Sequence, residues 1–279
     1  MPKKPDYPEL AAALKGWRYH PEPDCLQDKA IVVSGAGDGI GRAAAKTFAC
    51  YGANVVLLGR TRSKLEAVFD WIEAQTTTRA VIVPCDLQAL DDDSADALHD
   101  AIAETYGHLD GLLHNASTLG PRLPIANYPS HQWQQVMQVN LFAPFLLTRT
   151  LIPLLNAAPS ASVVLTSSTV GRQGRAYWGA YAVSKHALEG LMQVLADEHE
   201  HAGIIRVNSI NPGATRTAMR AAAYPAENPA TVPSAEEKLD IFVYLMANAS
   251  MGVNGQALDA SEWKPPDPDG PRQGSAARI

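Results

Sequence analysis

The sequence predicts an α/β fold: a doubly wound seven-stranded parallel sheet of the Rossmann type, in a single domain. Three observations predict it. Seven short apolar runs alternate with longer segments of helical period, a glycine cluster follows the first run, and no break in composition divides 30 to 260. Such alternation builds βαβ units, whose right-handed crossovers cover both faces of a parallel sheet and leave a crevice at the strands' carboxyl ends.

The elements follow in order. An N-terminal extension, 1–28, holds PELAAALKGW, where Leu10, Leu14 and Trp17 share one helical face, which predicts a short docked helix. Within the domain proper, 29–262, the apolar runs AIVVSG, NVVLLG, AVIVPCD, LDGLLHNA, SVVLTSS, IIRVNSINPG and GQALDA read as strands. Helical period marks 41–51, 62–75, 90–106, 131–156 and 181–201 between them. Asp91 to Asp93 open the third of these helices, where carboxylates suit the helix dipole and cap rather than bind metal. The segment 263–279 lacks apolar periodicity and is expected to be a flexible tail.

Composition excludes several function classes. With 46% apolar and 19% charged residues among 279, the chain reads as globular, and its net charge of −6 gives no basic footprint for nucleic acid. The two lysines of MPKKPDYPEL have no apolar stretch behind them, and no apolar run suggests a membrane span, so a cytoplasmic protein without membrane partners is expected. Cys25, Cys50 and Cys85 form no CxxC pair, so neither disulfide nor zinc site is indicated. His199 and His201, two apart on a helix, point to different faces, and no metal site is expected.

The glycine cluster SGAGDGIGR places Gly35, Gly37, Gly39 and Gly41 in a strand-to-helix turn, with Ile40 between the last two. Without Cβ atoms the backbone can approach a pyrophosphate, whose charge the helix N-terminus stabilises. The second strand ends at Gly59 and Arg60, with no carboxylate to bind both ribose hydroxyls of NAD; this favours NADP(H) over NAD(H). Asp38, in the loop itself, is a negative charge working against a phosphate. After the third strand, Asp86 can accept from an adenine amino group and Leu87 can offer a backbone contact, or Asp86 can cap the following loop.

Farther along, Tyr181 and Lys185 lie one turn apart on a helix face, so an ammonium can sit near a phenol and favour its ionised form. Ser168 ends the fifth strand, where its hydroxyl can hold a substrate oxygen. The loop between them carries Arg172 and Arg175, candidates to hold an acidic group on a substrate, and Trp178, a candidate apolar wall.

At these residues the sequence resembles the short-chain dehydrogenase/reductase family over about 30 to 260. SGAGDGIG is similar to the family's cofactor loop, HNAS at 114–117 to its Asn-Asn-Ala-Gly element, SS at 167–168 and YAVSK at 181–185 to its catalytic motifs, and PGATRT at 212–217 to its Pro-Gly-x-x-x-Thr. Longer stretches, TSSTVGRQGRAYWGAYAVSK among them, look like the bacterial YciK-type oxidoreductases. The resemblance implies hydride transfer between NADP(H) and a small-molecule carbonyl or secondary alcohol. It assigns Ser168 to polarise the carbonyl, Tyr181 as general acid or base, Lys185 to lower the tyrosine's pKa and hold the nicotinamide ribose, and Asn140 to support a water relay. It adds Asn115, Ala116, Pro212, Gly213, Thr215 and Thr217 to the cofactor contacts. His114 and Ser117 depart from the family element. The family also implies a homodimer or homotetramer paired through 131–156 and 181–201. Two other uses of the same frame stay open: an NADP-binding regulatory or scaffold protein, and a net-neutral epimerase.

Overall fold

A computed structural model describes residues 5–265. Its first strand, β1 (Ala30–Ser34), is buried at every position, as a strand covered on both faces must be. Successive side chains leave by opposite faces, so Ile31 and Val33 join one hydrophobic core while Ala30 and Val32 join another across the sheet. The other strands are β2 (Asn54–Gly59), β3 (Ala80–Pro84), β4 (Gly111–His114), β5 (Ala161–Thr166), β6 (Ile205–Asn211) and β7 (Ala257–Asp259). All pair in parallel, in the spatial order β3-β2-β1-β4-β5-β6-β7. Val33 lies against Leu57 on one side and Leu113 on the other. The winding reverses between β1 and β4, and there the connecting loops part to open a crevice.

The helices are α1 (Pro8–Ala13), α2 (Gly39–Cys50), α3 (Arg62–Gln75), α4 (Asp92–Tyr106), α5 (Ser130–Met137), α6 (Ala143–Asn156), α7 (Gly179–Glu200), α8 (Ala218–Ala223) and α9 (Asp240–Met246). Residues of α1, α2, α3 and α9 fill the core on one face; α4, α6 and α7 fill it on the other. Local signals set the ends. Asp91 caps α4 by accepting from Ser94 N at 2.9 Å, and Gly107, at a φ of 72°, ends it in the left-handed conformation that glycine tolerates.

One predicted helix is broken. The period over 131–156 predicts a continuous helix, but Gln138–Phe142 forms a π-helical turn between α5 and α6, with Asn140 at its centre. Pro144 supplies the reason: it has no N–H to bond the carbonyl of Asn140 four residues earlier, so the ladder slips to a wider turn. By length and a hydropathy of 1.3, the stretch Ser130–Asn156 could cross a membrane, against the expectation that no run is apolar enough. Here half of its most apolar eighteen residues are buried, with Leu146, Leu147, Leu151 and Leu155 in the core.

The extension carries α1, and Tyr7, Leu10, Ala13 and Trp17 belong to the core on the α2 side, with Leu14 packed partly buried against it. Its polar atoms hold the chain far downstream. Tyr7 donates its hydroxyl to Glu236 Oε1 at 2.9 Å, and the Trp17 indole N–H donates to the Glu236 carbonyl at 2.9 Å. Trp263, the first residue of the expected tail, is instead buried, its ring 5.1 Å from that of Tyr244. The remaining tail from 266 lies outside the described residues.

Candidate active site

At the end of β1 the chain turns through Gly35, whose φ of 71° suits glycine and few others, and Gly35 N donates to Leu58 O at 2.8 Å. A Cβ on Gly41 would stand 2.6 Å from Asn115 Nδ2 and closer still to the Gly35 carbonyl, so α2 can butt against this turn only because position 41 is bare. Gly41 is therefore a packing glycine. The cavity beside it, about 580 Å³, is lined by Gly35, Gly37, Gly39 and Ile40 but not by Gly41.

Asp38 caps α2, accepting from Gly39 N at 2.8 Å, and its carboxylate pairs with Lys64 of α3. The Lys64 ammonium holds that carboxyl below its ordinary range, with the Gly39 N–H assisting. The expected conflict between Asp38 and a phosphate is thus answered within the protein. Lys64, Arg60 and Thr61 line the cavity together where β2 ends. Asp86 and Leu87 line it after β3, and Asp86 also caps its turn by accepting from Gln88 N at 3.1 Å, so the two sequence readings of Asp86 are compatible.

Ser34 stitches the β4 loop to β1: its hydroxyl accepts from Asn115 N at 3.0 Å and Ala116 N at 3.1 Å. Asn115, Ala116 and Ser117 line the cavity. His114 turns inward instead, with Nε2 2.7 Å from Thr148 Oγ1. Burial, and secondarily the charge of Lys185, push its pKa down to about 3, which keeps it neutral. Across the crevice Pro212, Gly213, Thr215 and Thr217 supply the opposite wall.

Ser168, Tyr181 and Lys185 meet at the far end of the same cavity. Tyr181 and Lys185 occupy the buried face of α7, and the Lys185 ammonium donates to the Thr166 carbonyl at 2.8 Å. Its nitrogen lies 5.7 Å from the Tyr181 ring centroid. Burial pulls the ammonium down to about 8, opposed by Glu189 one turn further along. The phenol goes the other way. Burial raises Tyr181 to about 12, outweighing the hydrogen bond with Ser168 that favours the phenolate. This differs from the expectation that Lys185 lowers the phenol: desolvation dominates, and one donor of the ammonium turns to a backbone carbonyl. Asn140 does not line the cavity; it is buried, accepting from Thr118 N at 2.8 Å and donating to Thr118 O at 2.9 Å and Ser184 Oγ at 3.0 Å.

The profile of the short chain dehydrogenase family matches residues 29–228. The chain belongs to that family. This short-chain dehydrogenase is 47% identical over 248 residues to the uncharacterized oxidoreductase YciK of Escherichia coli K12, covering 89% of the chain and 98% of YciK. A putative short chain dehydrogenase from Pseudomonas syringae shares 50% identity and superposes with a TM-score of 0.85, covering 87% of this chain and 98% of its own. A third relative, from Escherichia coli CFT073 and complexed with NADPH, is 48% identical with a TM-score of 0.84, over 86% and 99% of the two chains. By its family the protein is an oxidoreductase.

Two candidate substrate residues of this dehydrogenase sit elsewhere than expected. Arg172 does not line the cavity: its Nε is 3.5 Å from the buried Glu189 and its Nη2 donates to Leu258 O at 3.0 Å, because a buried carboxylate and a carbonyl of the edge strand β7 outcompete solvent for its donors. Arg175 is exposed, outside the cavity wall, 3.4 Å from the Tyr224 hydroxyl at its rim. Trp178 is a wall, with its ring 5.8 Å from Tyr181 and 6.0 Å from Tyr224. Sequence reasoning missed Lys64 and Tyr224. Lys64 stands four residues after Arg60, which is a usable signal; Tyr224, alone after a run of alanines, carried none. Among the described residues no cluster of His, Cys, Asp and Glu could hold a metal.

Proposed function

We propose that the protein is an NADP(H)-dependent oxidoreductase that interconverts a small carbonyl compound and a secondary alcohol, with Ser168, Tyr181 and Lys185 at the reacting end. One observation carries this reading: a single cavity holds the bare glycine turn at one end and Ser168, Tyr181 and Lys185 at the other. The glycine cradle fits a dinucleotide: Gly35, Gly37 and Gly39 line the cavity without side chains, and a Cβ on Gly41 would push against the Gly35 turn that shapes it. The preference for NADP(H) rests on Arg60 and Lys64 after β2, and on the NADPH held by the Escherichia coli CFT073 relative.

NADPH, when bound, supplies the hydride. The phenol of Tyr181, kept protonated at neutral pH by burial, gives its proton to the substrate oxygen as the carbon is reduced. Ser168 orients that oxygen and, hydrogen-bonded to Tyr181, stabilises the phenolate left behind. Lys185 holds a positive charge beside the phenolate and ties α7 to the end of β5 through Thr166. Asn140 acts at one remove, fixing the Thr118 backbone that forms the wall. Exposed Phe142 and Phe145 on the α5–α6 side, with Val183 and Val194 on α7, support pairing of subunits through these helices.

NADPH oxidation against a carbonyl panel tests the reading. Tyr181→Phe should abolish turnover while leaving NADPH affinity within a few-fold, because the phenol acts on the substrate oxygen. Turnover retained in Tyr181→Phe removes the proton donor from this assignment.

A further inference from the structure

Three arginines converge on one tyrosine at the substrate end of the cavity. The guanidinium of Arg220 lies 3.8 Å from the Tyr224 ring centroid, that of Arg122 lies 5.5 Å from it, and Arg175 Nη1 approaches the Tyr224 hydroxyl at 3.4 Å. Arg122 also covers Trp178 at 4.8 Å and donates to the carbonyl of Ala223. These cations are not equivalent. Arg220 is neutralised by Glu227, which accepts from its Nε at 2.7 Å and its Nη2 at 2.6 Å. No carboxylate among the described residues pairs with Arg122 or Arg175.

An aromatic face satisfies a guanidinium's charge without using its in-plane N–H donors, so Arg122 keeps most of its five donors for an acceptor. Arg175 has a single long bond. In a chain of net charge −6, two cations at one rim that have no carboxylate partner among the described residues are a local excess of positive potential. The chamber they flank is otherwise apolar, packed from Leu119, Trp178, Met219, Ala223 and Tyr224 around Tyr181. The buried Trp178 indole N–H has no acceptor among the described residues. An apolar chamber with unspent donors and cations at its mouth suits a ligand that is apolar in the middle and anionic at one end.

We propose that the substrate is a carbonyl compound whose apolar body fills this chamber and whose carboxylate, remote from the carbonyl, is held at the rim by Arg175 and Arg122. The proposal rests on the oxidoreductase reading for the carbonyl end only; the carboxylate end stands on the arginines.

The test measures binding apart from turnover. Protein saturated with NADP+, which cannot reduce a ketone, is titrated calorimetrically with aryl keto acids of graded chain length, such as 4-oxo-4-phenylbutanoate, each paired with its primary amide. For at least one length the acid should bind about tenfold or more tightly than the amide, and the gap should shrink with salt. Arg175→Gln and Arg122→Gln should each narrow the gap, the double variant should close it, and Arg175→Lys should restore part of it. NADPH affinity is the control for folding. Acid and amide binding alike, neither binding at any length, or a gap that survives in the double variant each overturns the proposal. If the acids bind through the arginines yet no NADPH is consumed, the carboxylate site stands and the oxidoreductase reading fails; if amides are reduced as well as acids, the reverse holds.

Discussion

The ammonium of Lys185 donates to the carbonyl oxygen of Thr166 across 2.8 Å, inside the protein and away from solvent. A lysine in such a place resists its charge, and burial brings its pKa from 10.5 to about 8.

Stability should reflect this. Between about pH 8 and 10.5 the unfolded chain binds the proton and the folded chain has released it, so this lysine's contribution rises with pH across that window and is flat below it. In urea titrations the stability of the unmutated protein relative to Lys185→Met should therefore rise from pH 8 to 10. A difference that stays constant over this range means that the ammonium is solvated rather than buried.

Gly41→Ala forces a Cβ against the Gly35 turn and Asn115. Overpacking of this kind costs about 1–3 kcal/mol, and the distorted turn should also lose most of its NADPH affinity. Gly174, where an added Cβ meets nothing within 4 Å, is the control, and Gly174→Ala should change neither quantity. Thermal unfolding and NADPH titration of both variants decide it; equal effects at the two glycines count against the packing argument.

Lys64→Ala removes a cation from the end of β2 and frees the charge of Asp38 at the same time. NADPH affinity should fall roughly ten- to a hundredfold, more than in Arg60→Ala, whereas NADH affinity should change little. Adding Asp38→Asn, which can still cap α2, should recover part of the loss. Parallel losses for NADH and NADPH show that Lys64 serves the loop and not a phosphate.

Tyr7→Phe leaves the buried carboxylate of Glu236 without its phenol donor, at a cost of about 1–3 kcal/mol. The phenol's pKa is raised, first by burial and then by the charge of Glu236, so its stabilising contribution is whole below pH 10 and declines as pH rises above it. Unfolding at pH 7 should reveal the deficit, and at pH 11 the gap between the two proteins should be narrower. A pH-independent gap points to packing alone.

The sheet, its seven strands and the helical segments between the first six of them were legible because period and punctuation are local: five consecutive buried residues in β1, an aspartate before α4 and a glycine after it leave little choice of element, whereas the short α8 and the α9 buried on every side carry no such period. The glycine turn and the Tyr181–Lys185 spacing were legible for the same reason, since each is a short stretch whose geometry follows from one strand-to-helix turn or one helical turn. What the tertiary structure decided were encounters between distant segments, together with the desolvation that accompanies them. Pro144 opens the helix at Asn140, and Lys64 reaches back to Asp38 on another element. Arg172 and Arg175, three residues apart in one loop, separate because Glu189 claims the first and Tyr224 meets the second. Spacing alone suggested that Lys185 lowers the phenol of Tyr181; burial, which no spacing encodes, raises it to about 12 and pulls the lysine down to about 8. A residue's partners across the fold, and the water it loses on meeting them, are set only when the chain has closed on itself.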